Sequence, residues 1–197
     1  MSRFAFPALL LALVFVCSGC MMPNHDAQIS ANEAYLKQEG ITALPLLSTA
    51  PQLTGVTDST GQPVSLSALL DRHKTGVLLF FFPALDTPNS SANLLDWDKR
   101  QAALTAEGLG AYAICLADAA AAAKYSQELG ITLPLLADPQ GTAAAAYGCL
   151  PSGGQFPQRT TIGLSPQGGV VYYHRGTLDQ PAVTAVEKAY GITPVKK

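Results

Sequence analysis

The sequence predicts one α/β domain, and three observations carry that prediction. Residues 77–82 (VLLFFF) are six apolar residues without alternation, the pattern of a strand covered on both faces in a largely parallel sheet. Strand-like and helix-like segments alternate on either side of residue 118, as α/β chains do. The 197 residues are 48% hydrophobic and 13% charged, enough to bury a full core without staples. A formal charge of −2, with no basic run, offers little attraction to a phosphate backbone and argues against a nucleic-acid partner.

Taken in order, residues 1–19 read as a targeting segment. Arg3 gives a positive start, and residues 8–16 form an apolar run too short to span a bilayer as a folded helix. Cys17-Ser18-Gly19-Cys20 then resembles the lipobox of bacterial lipoproteins, with Cys17 where Leu is usual. That resemblance implies cleavage before Cys20, lipid on its sulfur, and a domain held in a bacterial cell envelope, facing the periplasm or the cell exterior. Residues 20–49 read as a tether with one helix over 31–38, ended by Gly40. The main domain is expected over residues 50–193.

Within it, residues 53–57 and 63–66 flank the turn Asp58-Ser59-Thr60-Gly61 and predict an N-terminal β-hairpin. After the central strand comes a helix over 91–107, where Leu94, Trp97 and Leu104 share a face and Asp96 can pair with Arg100. Ser90, among the best capping residues, directly precedes it. Residues 110–116 predict a strand, Asp118 a cap, 119–129 a helix and Gly130 its stop. Residues 133–137 predict a strand, and Asp138-Pro139 the start of a short helix over 142–147. Residues 159–164 and 170–174, joined by Pro166-Gln167-Gly168-Gly169, predict an antiparallel hairpin, followed by a helix over 182–190.

The segment from Phe81 through Pro83, Asp86, Thr87, Pro88 and Asn89 to Ser90 resembles the active-site loop of peroxiredoxins of the alkyl hydroperoxide reductase and thiol-specific antioxidant family. It is most similar to the bacterioferritin comigratory protein branch. Further matches are Ala50-Pro51, the strand ending at Asp118, Leu136-Ala137-Asp138-Pro139 and Gln158-Arg159-Thr160-Thr161-Ile162. The resemblance implies a thioredoxin-like fold, a central mixed sheet flanked by helices, and hydroperoxide reduction by an attacking cysteine. Ser90 takes that cysteine's place, and no neighbouring residue supplies sulfur. A hydroxyl forms no thiolate at neutral pH and cannot pass through sulfenic acid to a disulfide. By the same resemblance Thr87 would offer a hydroxyl to a peroxide oxygen, Pro88 would shield the pocket, backbone amides around Asn89 and Ser90 would face it, and Arg159 would polarise it. A small anion or a hydroperoxide fits such donors. The expectation is a lipid-anchored domain that has lost thiol peroxidase activity and works by binding or interaction, with no cofactor.

The alternative is an antioxidant or thiol–disulfide oxidoreductase using a displaced sulfur, Cys149 or Cys115. Cys115 falls inside a predicted buried strand, and Cys149 at a helix end is the more exposed candidate. A bond between them would need Cα atoms about 4.4–6.8 Å apart, which a strand interior and a helix end seldom provide. The branch's second cysteine would fall at Leu95. His25, His73 and His174 show no metal-ligand spacing, so no metal is expected.

Overall fold

The computed structural model describes residues 43–151, 155–177 and 179–192. The expected targeting segment and tether helix lie outside these residues. Five strands form one mixed sheet: β1 (Gly76–Phe81), β2 (Leu109–Cys115), β3 (Leu135–Ala137), β4 (Thr160–Leu164) and β5 (Val170–Arg175). Their order is β3-β2-β1-β4-β5, with β1–β2 and β2–β3 parallel and β1–β4 and β4–β5 antiparallel. The helices among the described residues are α1 (Leu66–Leu70), α2 (Pro88–Ala106), α3 (Ala119–Leu129), α4 (Thr142–Ala146) and α5 (Gln180–Ala189). This is the thioredoxin-like arrangement, with β1 central as its apolar run predicts.

Alternation along β1 sorts the core into two layers. Val77, Leu79 and Phe81 point to one face, where Leu66 and Leu69 of α1, Ala143 and Ala144 of α4, and Tyr147 cover them. Leu78, Phe80 and Phe82 point to the other, where they meet Leu94 and Trp97 of α2, Ala122 and Tyr125 of α3, and Val186 of α5. The Phe80 ring lies 5.8 Å from that of Trp97. α5 is bound to the sheet through Tyr190, whose hydroxyl reaches the carbonyls of Val77 and Leu164, both at 3.1 Å.

Several local expectations are corrected. The N-terminal hairpin shrinks to a bridge between Thr57 and Pro63, because residues 66–70 turn into α1, capped by Ser65. Its turn is nevertheless built by Asp58, whose carboxylate accepts from the amides of Thr60 and Gln62. The helix after β1 starts at Pro88, so its cap is Thr87 and Ser90 sits inside the first turn. α4 starts at Thr142 with left-handed Gly141 as its cap; Asp138 reaches it instead by accepting from the amide of Ala144 at 2.8 Å. Asp96 pairs with Lys99 at 3.3 Å, one residue short of the expected Arg100.

Candidate functional site

The carboxyl ends of β1 and β2 lie together at one end of the sheet, here called the rim. From Phe82 the chain runs through Pro83 to Asp86, which takes φ +57, and enters α2. Proline at the first helical position, with its fixed φ and missing N–H, suits this start. Thr87 Oγ1 accepts from the amide of Ser90 at 3.3 Å and donates to Ser90 Oγ at 2.8 Å. Ser91 Oγ donates to the Thr87 carbonyl at 3.0 Å and lies 2.8 Å from the Tyr125 hydroxyl, which ties this turn to α3. Ser90 is fully buried, whereas Pro88 and Asn89 are exposed.

Arg159 comes to the same end and face by sheet register. Thr160 pairs with Phe81, so Thr160 shares Phe81's face, and its neighbours Arg159 and Thr161 turn to the face that holds Phe80, Phe82 and α2. The Arg159 carbonyl accepts from the amide of Gly176 at 2.8 Å. Its side chain is half-buried, Nε has no partner, and burial pulls the guanidinium below its ordinary pKa. Thr161 Oγ1, fully buried on the same face, also has no partner. Hydroxyls at the start of a helix and a guanidinium near the same rim suit an anionic or polarised oxygen group.

The two sulfurs part company. Cys115 lies on the α2 face beside Phe82 and Ala137, with Sγ 3.5 Å from the Leu136 carbonyl. Cys149 lies on the opposite face with Tyr147 and Phe81. The sheet between them rules out a mutual disulfide in the fold, and both are free. Cys149 is also fully buried, which corrects the expectation that it is the more exposed, because it packs into the core layer of Phe81 and Tyr147. Arg175 donates to the Gly148 carbonyl at 2.7 Å and to the Gln158 side chain, and the Gln158 amide donates to the Cys149 carbonyl. Burial pushes each thiol up to about 12.

Sequence reasoning passed over Tyr125, which joins the first turn of α2 only through folding, and named Thr161 only within the Gln158–Ile162 match, without assigning it a role. Among the described residues, no group of His, Cys, Asp and Glu is arranged to hold a metal ion.

Residues 47–173 match the AhpC/TSA family, well over half of the chain. The chain belongs to that family. No curated protein matches it. Among solved structures it is similar to peroxidoxin BcpB from Mycobacterium tuberculosis, at 25% identity and TM-score 0.64, covering 75% of this chain and 95% of that one. The bacterioferritin comigratory protein of Xanthomonas campestris is 22% identical, with TM-score 0.61 and coverage of 68% and 90%. AhpC of Enterococcus faecalis is 20% identical, with TM-score 0.62 and coverage of 74% and 90%. These last two likenesses establish the fold. Within this AhpC/TSA domain the rim joins Thr87, Pro88, Asn89, Ser90 and Arg159 at one end of the sheet, brings Cys115 to the same face, and leaves Cys149 on the other.

Proposed function

We propose that this chain is a lipid-anchored AhpC/TSA-family protein of a bacterial envelope, with Ser90 in the place of the attacking cysteine. It has lost thiol peroxidase chemistry and acts by binding a small anion or hydroperoxide, or a protein partner, at the rim. One observation carries the reading. The group at position 90 is a buried hydroxyl bonded to Thr87, while both sulfurs of the described domain are buried and held at about 12, where almost no thiolate forms at neutral pH.

The anchor is supported by the lipobox-like Cys17-Ser18-Gly19-Cys20. No helix of the described residues is long and apolar enough to cross a membrane. Mass spectrometry of protein purified from a bacterial membrane tests this directly: an unmodified Cys20 refutes lipidation.

The enzyme alternative draws its one support from Cys115, which shares the rim and face of Ser90. Reduced protein mixed with hydrogen peroxide separates the readings. Loss of peroxide no faster than in buffer fits the binding role. Consumption of one equivalent, abolished by Cys115→Ala or Cys149→Ala, overturns it. For binding, inorganic phosphate titrated against the protein and against Arg159→Ala should show an interaction that the substitution weakens.

A further inference from the structure

The buried side of α2 brings Ser90 over Arg159. Ser90, Leu94 and Trp97 are the buried residues of this helix, and their spacing makes one stripe along the side that meets the sheet. Leu94 and Trp97 pack in one layer with Phe80 and Phe82. One turn nearer the rim, Ser90 therefore lies over the end of β1. Carried one residue further, the pairing of Phe81 with Thr160 sets Arg159 beside Phe82, while Thr161 pairs with Phe80 one step inward.

Three donors on this face are unspent. Thr87 Oγ1 gives its one proton to Ser90 Oγ at 2.8 Å, and no acceptor among the described residues takes the proton that Ser90 keeps. Thr161 Oγ1 is buried without a partner, and the Nε atom of Arg159 is equally buried and unpaired. No carboxylate of the described residues pairs with Arg159. His174 of β5, opposite Thr161 in the sheet, reaches the Thr177 carbonyl at 3.2 Å instead. Buried polar groups are nearly always paired, so idle donors gathered on one face mark a place where an outside molecule supplies the acceptors.

The missing acceptor has a definite chemistry. It is an anion, because a guanidinium without a counter-charge faces it, and a neutral hydroperoxide would leave that charge unbalanced. Exposed Asp86, Asp118 and Asp179 surround the rim and penalise a second negative charge. Arg159 and Thr161 are alternate residues of one strand, about 6.6 Å apart along it, a gap that two oxygens on one carbon can bridge with bonds of about 2.7–3.0 Å. We propose that the rim binds a small, singly charged carboxylate, one oxygen accepting from Arg159 and the other from Ser90 and Thr161. The inference rests on the binding reading above and narrows its choice of ligand.

The test titrates acetate and inorganic phosphate, at constant ionic strength, against the full chain in detergent micelles and follows amide shifts by NMR. Acetate should bind several-fold more tightly than phosphate and move the amides around Ser90 and Thr161. Thr161→Val keeps the shape and removes the hydroxyl. It should weaken acetate several-fold while the urea midpoint of the free protein stays level or rises, because the group removed is an unpaired buried one. Thr161→Ser, which keeps the hydroxyl, should retain acetate binding. Phosphate binding as tightly as acetate overturns the proposal, and so does an acetate affinity that follows stability rather than the hydroxyl across the two variants; the broader anion reading then stands. If neither anion moves these amides in the native sequence, the anion reading itself fails and takes the proposal with it.

Discussion

Substituting Ser90→Cys asks whether the rim still has the electrostatics of a reactive site. The new thiol would occupy the third residue of α2, within reach of the Thr87 hydroxyl that now donates to Ser90 Oγ at 2.8 Å. An ordinary thiol near 8.5 is about 7% thiolate at about pH 7.4. The positive end of the helix stabilises an anion by up to about 2 kcal/mol, and a hydrogen bond to a charged group contributes about 1.5–3 kcal/mol. Burial of position 90 opposes both. A net gain of about 2 kcal/mol lowers the pKa by about 1.5 units, to about 7, where about 70% is thiolate. Alkylation by iodoacetamide should then run about tenfold faster than for an ordinary thiol. Cys115 and Cys149, at about 12, should react thousands of times more slowly. Mass spectrometry resolves the three rates across the neutral range, and the variant should consume one equivalent of hydrogen peroxide. A new thiol titrating at or above the ordinary value means that burial outweighs the helix end and the hydroxyl, and refutes the reasoning.

Native protein should resist a disulfide-exchange reagent at both Cys115 and Cys149 until denaturant opens the fold; rapid labelling of either in buffer contradicts their burial. Gly163→Ala would put a Cβ 2.7 Å from the Tyr190 hydroxyl and 2.9 Å from Tyr172 Cβ, so urea unfolding should show a loss of about 1–3 kcal/mol. His73 lies 2.8 Å from the Tyr112 hydroxyl, and burial, with the Arg72 charge second, holds its pKa below 6.5. The folded state therefore disfavours the protonated ring, so stability is full above about 6.5 and declines as pH falls from there through the folded value. His73→Gln should flatten that slope in denaturation curves taken at successive pH values.

The sheet was legible because its strands announce themselves. Residues 77–82 carry no polar position and could only be central, and α3 matches its expected bounds because Asp118 and Gly130 close both ends. Short-range competition set the errors. At residues 87–90, Thr87 and Ser90 are both good caps, and the proline between them decides for Thr87. At residues 63–66 a strand pattern gave way to α1 because Ser65 caps and Leu66 and Leu69 bury together. The candidate site was legible as residue types, while its geometry was not. That Cys115 and Cys149 end on opposite faces follows from parity along β2 and from the long-range contact of Arg175 with the Gly148 carbonyl, neither of which local sequence records.

The sheet that separates these two sulfurs also governs how the chain must mature if it folds in an oxidising compartment. An unfolded chain can bring residues 115 and 149 together freely, and a bond made then would staple two layers that the finished molecule keeps apart. Collapse has to outrun oxidation. Once it has, the interior itself guards both thiols, and an added oxidant cannot join these two.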